Sequence, residues 1–136
     1  MKANALEILG LDELREALRK LPPELVHEGA AIVHAHAAET ARQVEASYPV
    51  ATGNLKTHVV VDVETSASYA TARVRSTAYH AWMYEHGTGD RSYNGQDRGR
   101  MPAAHTFIPI AIRRRALMVS ALIELVERAG LTVSGR

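Results

Sequence analysis

The chain has 136 residues, 46% of them hydrophobic and 23% charged, which indicates one globular domain over 1–136 and excludes an intrinsically disordered chain. Its 16 basic and 15 acidic residues leave a formal net charge of +1, which argues against a strongly basic nucleic-acid-binding protein. The absence of cysteine excludes disulfides, cysteine nucleophiles and thiolate metal sites. No apolar run reaches the ~18 residues of a membrane span, so we expect neither a transmembrane segment nor a signal peptide.

Two helices are predicted in the N-terminal part of the chain. Over 4–21, the residues Leu11, Leu14 and Leu18 recur at spacings of three and four, which predicts an amphipathic leading helix. Two prolines end it and begin a longer helix over 22–48, because proline is tolerated in the first turn of a helix. The apolar stripe of this second helix is rich in alanine, which allows a partner surface to approach closely.

The periodicity then changes to two, which predicts a β-hairpin over 54–76. Valines alternate with polar residues in the first strand, and alanines alternate with arginines in the second. On the exposed face we expect acidic residues of one strand to pair with basic residues of the other: Asp62 or Glu64 with Arg73 or Arg75.

The C-terminal part contains four further predicted segments. Residues 78–86 hold the only tryptophan and two of the five tyrosines, so we expect them to pack against the sheet. A glycine-rich extended loop over 87–103 and a short strand over 105–108 follow. A final helix over 109–129 carries more apolar side chains than one stripe holds, so it should contact two surfaces: either the sheet and a long helix, or the sheet and a neighbouring subunit.

This order of elements predicts an α+β fold. A small, mainly antiparallel sheet should pack against the long N-terminal-half helix and the C-terminal helix. With aromatic residues at only 5%, the core must be built from alanine, valine, isoleucine and leucine.

Seven histidines raise the question of a metal site. His27-Glu28 begins like the zinc-protease signature, but that motif needs a second histidine at position 31, which is Ala31. No serine lies in a nucleophile elbow. We therefore predict no catalytic residue, metal or cofactor, and we keep a small histidine-metal hydrolase as an alternative, using His80, Glu85, His86 or His105.

A basic run on the last helix is a candidate interface. Arg113, Arg114 and Arg115 together span about 200° of the helix, so at least one of them projects away from the core. The run lacks interleaved aromatic residues, which favours a protein interface or a plain surface role over a nucleic-acid platform.

Three sequence blocks, in this order, carry a resemblance to a known family. They are 49–55 (PVATGNL), Tyr79 followed by 85–88 (EHGT), and 101–111 (MPAAHTFIPIA). The series, which runs from about 22 to 129, resembles the tail-completion or head–tail joining proteins of long-tailed bacteriophages and gene transfer agents, a group of neck and tail-terminator-like minor tail proteins. The block residues with turn and scaffold roles are Pro49, Thr52, Gly53, Asn54, Leu55, Glu85, Gly87, Thr88, Pro102 and Phe107.

The resemblance implies a structural virion protein without enzymatic activity. Family members are similar in forming homo-hexameric rings that join the tail tube to head-side neck or stopper proteins and leave a channel for double-stranded DNA. It implies a location in the virion's tail or neck, in the host cytoplasm during assembly, and no membrane contact. The terminator position, the head-side position and a tail-side neck position in a gene transfer agent all stay open. Two sets of residues are candidates for the contacts that this role needs. One is a partner-contact loop with Arg91, Tyr93, Arg98 and Arg100, and the other is a lumen or interface surface with Arg113, Arg114 and Arg115.

Overall fold

The computed structural model describes residue 19 and the ranges 22–50, 53–67 and 69–133. The predicted leading helix over 4–21 lies outside these residues, apart from Arg19. In chain order the elements are α1 (Pro23–Ser47), α2 (Asn54–Thr57), β1 (Val59–Thr65), β2 (Ala70–Ser76), α3 (Ala81–His86), β3 (Arg91–Tyr93), β4 (Gln96–Gly99) and α4 (Phe107–Arg128).

Helix α1 is the central element, and both the β1–β2 hairpin and α4 pack against it. It begins with proline in its first turn and ends at Ser47. The next residue, Tyr48, has the extended backbone that the following proline imposes. Its stripe of small residues is buried, and a Cβ placed on Gly29 would lie 3.6 Å from the side chain of Leu125. The small stripe therefore lets α4 approach α1 within the same chain.

The hairpin of β1 and β2 is antiparallel, with Val59 opposite Ser76 and Thr65 opposite Ala70. The predicted charge pairing is confirmed, since Arg75 donates from Nε to Asp62 at 2.7 Å. The predicted start of the hairpin at residue 54 is wrong. Residues 54–57 form the short helix α2 instead, because Gly53 adopts φ +76° and its carbonyl accepts a hydrogen bond from the Thr57 amide at 3.1 Å.

The strand predicted over 105–108 is not formed, and α4 begins at Phe107, two residues before Pro109. His105 has φ +48°, which is incompatible with a strand, and the next three amides converge on one carboxylate as at the start of a helix. The extended loop predicted over 87–103 also differs from the structure, because β3 and β4 pair within it as an antiparallel hairpin.

The core lies where α1, the β1–β2 hairpin and α4 meet. Val44 is its most buried large side chain, and Phe107 packs on its edge. Aliphatic residues dominate it as expected, joined by one aromatic residue, Tyr48. The α+β prediction is confirmed: the long helix, the C-terminal helix and small antiparallel sheets are all present. Within the described part of the chain, none of the helices has the length and apolar character needed to cross a membrane.

Candidate functional site

Glu85 joins the second sequence block to the third. Its side chain is 5% exposed, and its carboxylate accepts hydrogen bonds from the amides of Thr106, Phe107 and Ile108 at 2.8, 2.8 and 2.9 Å. These amides are the unpaired donors at the N-terminus of α4, where the residue before the helix provides no side-chain cap. Glu85 therefore caps α4 from a distant part of the sequence, which also suits the helix dipole.

The capping geometry also sets the pKa of Glu85. Burial raises the pKa of this carboxyl group, but the three amide hydrogen bonds together outweigh burial and hold its pKa below the ordinary value. The group is therefore ionised at neutral pH and committed to the helix N-terminus. Sequence reasoning placed Glu85 in the scaffold but did not find this partner, because a contact across more than twenty positions leaves no local pattern.

Gly87 and Thr88 continue the same junction along the backbone. A Cβ on Gly87 would lie 2.8 Å from both the Ala103 nitrogen and the Met101 oxygen, and its φ is +76°. Glycine is therefore required here both for its conformation and for the close approach of the two segments. Thr88 pairs with Met101 twice: its amide donates to the Met101 carbonyl at 2.8 Å, and its Oγ1 accepts from the Met101 amide at 3.0 Å.

The remaining scaffold residues lie at turns or at the core edge. Gly53 has the positive φ that its turn requires, Leu55 is buried, and the Asn54 amide lies 3.4 Å from His80 Nδ1. Pro49 is exposed just after the end of α1, and Pro102 is exposed in the segment between β4 and α4. Phe107, expected as the anchor of a strand, anchors the first turn of α4 instead. Thr52 lies outside the described residues.

The paired segments 84–88 and 101–105 form the base of a projecting hairpin, which we call the arm (residues 89–100). Every residue of the arm is exposed. Asn94 and Gly95 both have positive φ at its tip, the geometry of a two-residue hairpin turn. Arg98 lies over the Tyr93 ring with 5.9 Å to its centroid. The partner-contact loop predicted from the sequence is therefore an ordered surface feature carrying exposed Arg91, Tyr93, Arg98 and Arg100.

Two aromatic side chains of the 78–86 segment lie outside the core, contrary to the prediction that the segment packs against the sheet. Tyr79 is 86% exposed and Trp82 is 68% exposed, and the Trp82 ring contacts only the tilted ring of His86 at 4.9 Å among the described ring pairs. Tyr84 alone of the three packs inward, edge-on to Tyr48 at 5.5 Å. We call Tyr79 and Trp82 the aromatic knob.

Helix α4 has two apolar faces, as its composition predicts. One face packs on α1 through residues such as Ile110 and Leu125, which are buried. Ile108, Ile112 and Val119 lie four and seven positions apart on another face and are exposed. We call these three residues the outer stripe. The alanines of the α1 stripe, Ala30, Ala37 and Ala41, are buried within the chain and are not available for a contact with another subunit.

A groove of about 450 Å³ lies between α1, β2 and α4. Its lining is mainly apolar, and Arg114 and Arg115 also line it. Arg114 donates to His36 Nδ1 at 3.1 Å, and its buried Nε has no hydrogen-bond partner among the described residues. Arg113 lies outside the groove and donates to Gln43 at 3.3 Å. The three consecutive arginines therefore occupy different environments and do not form one basic surface.

The residues of the alternative metal site are not arranged as ligands. In the described ranges, no three histidine or carboxylate groups converge as a metal site requires. Glu85 is bound to the helix N-terminus, and His80 faces Asn54 and Tyr79.

One comparison with known proteins gives a match. A family model covers residues 12–87, more than half of the chain, and describes bacteriophage HK97 gp10, a proposed tail component, and proteins like it. The match includes the first sequence block and reaches Gly87 in the second, and it begins upstream of residue 22, where the resemblance begins. No curated protein and no solved structure matches the chain.

Proposed function

Since this chain belongs to the HK97-gp10-like family of proposed bacteriophage tail components, we propose that it forms a homo-hexameric ring at the head–tail junction. The ring completes the tail by joining the tail tube to the head-side neck proteins, and it leaves a central channel for double-stranded DNA. Its mechanism is assembly and not turnover, so no residue is assigned to catalysis.

The observation that carries this proposal is the placement of large apolar side chains on separate exposed surfaces. The aromatic knob, the outer stripe and Tyr93 of the arm belong to three different elements or connections. Exposed apolar patches mark interaction sites, because a soluble protein otherwise keeps such surface away from water. A ring subunit held between a tube and a neck needs several such surfaces, because it contacts neighbours on both sides and partners above and below.

The arm is the candidate contact with the tube or the neck. A two-stranded hairpin is marginally stable by itself, so pairing with a partner surface would stabilise the exposed arm. Its base is fixed by the Thr88–Met101 pair, which holds the arm in one direction while its tip stays accessible. Tyr93 and Arg98 supply the residue types that are enriched at energetically important contacts.

Deletion of residues 90–99 tests this assignment. Gly89 and Arg100 would then form a two-residue turn between the paired Thr88 and Met101, with glycine in the first turn position as a type II′ turn requires. We expect the free energy of unfolding to change by less than about 1 kcal/mol, since no deleted residue is buried. In a phage supplied only with this variant, we expect separate heads and tails in electron micrographs.

Two results would count against the proposal. Fully joined, infectious particles built with the shortened chain would show that the arm makes no required contact. Stoichiometric zinc or manganese in the purified full chain would instead favour the metal hydrolase. The ring further predicts only weak, salt-sensitive DNA binding, because a channel must let DNA slide and the chain is nearly neutral.

A further inference from the structure

The groove and the aromatic knob are complementary surfaces on one chain. The groove presents apolar walls formed by Val33 and Ala37 of α1, Ala72 and Val74 of β2, and Phe107 and Met118 of α4. Its volume of about 450 Å³ lies in the range of sites that enclose a ligand of several rings, so it has room for a large aromatic side chain. Neither Tyr79 nor Trp82 lines it, so the knob of the same chain does not fill it.

The charged residues of the groove favour an aromatic occupant. Arg114 is held against His36, with its Nε buried and unpartnered among the described residues, and Arg115 is exposed beside it. Guanidinium groups stack on aromatic faces, which carry the negative part of the ring quadrupole.

The knob has the composition of an interface anchor. Tryptophan and tyrosine dominate the energetics of protein interfaces when they enter a dry pocket on the partner. Trp82 is the only tryptophan of the chain, and it lies exposed three positions from Tyr79. Neither ring is needed by the core, where Tyr84 of the same segment packs.

We propose that the groove binds the aromatic knob of a second copy of this chain, with Trp82 inserted between α4 and β2. This inference rests on the proposed ring, and it names the contact between neighbouring subunits. Knob and groove are different surfaces, so the contact is head-to-tail and leaves one free knob and one free groove at the ends of any open chain of subunits. Contacts of this kind close into a ring when the rotation between subunits permits it.

The absence of native cysteine allows a direct crosslinking test. One chain carries Tyr79→Cys, which leaves Trp82 in place, and a second, isotope-labelled chain carries Ala72→Cys in the groove. After mixing and mild oxidation, we expect the mass spectrum to contain mixed disulfide dimers about tenfold above either homodimer, since a disulfide requires Cα atoms within about 7 Å. A chain carrying both cysteines should give a ladder of multimers.

Two matched variants keep the test falsifiable. Ser120→Cys replaces Ala72→Cys as an exposed α4 position outside the groove, and it should give no mixed dimer above background. Trp82→Ala added to the Tyr79→Cys chain should reduce the mixed dimer about tenfold, while circular dichroism stays unchanged because Trp82 is exposed. Mixed dimers no more abundant than the Ser120 control, or insensitive to Trp82→Ala, would overturn the contact.

The test separates this inference from the proposed ring. Rings of the unmodified chain seen on tails, together with failed crosslinking of the pair, would overturn the knob–groove contact and leave the ring intact. Specific crosslinking, together with normal head–tail joining by a Trp82→Ala chain that no longer crosslinks, would support the contact and overturn the ring as the working form.

Discussion

The carboxylate of Glu85 replaces the side-chain cap that α4 lacks next to its own first turn. Three charge-assisted hydrogen bonds hold it, so Glu85→Gln should lower the free energy of unfolding by about 2 kcal/mol, because the amide retains the shape but places an NH₂ group against the helix donors. Urea denaturation measures the loss. Glu124→Gln on the exposed side of α4 is the matched control, with an expected change within about 0.5 kcal/mol. Equal effects of the two substitutions would contradict the capping role.

The lowered pKa of Glu85 predicts how this contribution depends on pH. A carboxyl group with a depressed pKa in the folded state stabilises the fold fully above its unfolded pKa of about 4.3. The contribution is lost as the pH falls through the lowered folded pKa. The difference in unfolding free energy between the native chain and Glu85→Gln should therefore stay constant above about pH 5 and shrink below it. A difference that remains constant down to pH 2.5 would show that the charge of Glu85 is not the source.

Gly87 and Gly89 offer a second matched pair of single substitutions. Gly87→Ala places a Cβ against two backbone atoms and requires positive φ, so it should cost at least about 2 kcal/mol. Gly89→Ala meets no atom within 4 Å and should change stability by less than about 1 kcal/mol. Thermal denaturation of the two variants compares them directly. A Gly87→Ala protein as stable as Gly89→Ala would mean that the two segments are not joined at this point.

Single residues were predictable from the sequence where the requirement is local. The positive φ of Gly53 and the pairing of Asp62 with Arg75 follow from turn chemistry and strand alternation. The exposure of Trp82 could not be predicted in this way, because hydrophobicity alone assigns a tryptophan to the core. In the structure it is Tyr84 of the same segment that packs against the core, edge-on to Tyr48.

At the scale of elements, periodicity located the long helices and the β1–β2 hairpin, but not their junctions. The predicted strand over 105–108 failed because the Glu85 carboxylate, far away in sequence, gathers the amides into a helix start. The arm was predicted as an extended loop, and that prediction failed for a different reason. Its Asn94-Gly95 turn is a strong hairpin signal, yet the flanking residues are all exposed and show no alternation of apolar and polar side chains.

For α4, the packing on α1 is confirmed, whereas a second contact surface stays a prediction. Its apolar residues exceed one stripe, and the structure divides them between the face on α1 and the outer stripe. Sequence periodicity can count apolar faces on a helix. It cannot say which face the chain itself covers, because that depends on where α1 lies, and α1 covers the face of Ile110 and Leu125.

For the whole molecule, the proposed ring gives each exposed surface a separate task. In the proposed arrangement, knob and groove form the contact between neighbouring copies, which leaves the arm and the outer stripe for the tube and the neck. The near-neutral net charge fits this division, because copies packed side by side would repel each other if each carried a large charge of one sign. Ring formation and attachment of the ring to its partners should therefore be separable by mutation.

Ile112→Asp should separate these two steps. Ile112 is 64% exposed on the outer stripe, so the charged side chain stays in water and the free energy of unfolding should change by less than about 1 kcal/mol. Ile110→Asp is the control two positions away: it buries an unpaired charge against α1 and should prevent folding. When Ile112→Asp is added to the Tyr79→Cys and Ala72→Cys chains, we expect their mixed disulfide dimers to persist. In phage supplied with Ile112→Asp alone, we expect electron micrographs to show tails without heads. Normal joining by this variant would remove the outer stripe from the attachment surface, and loss of the crosslinks would instead place it between neighbouring subunits.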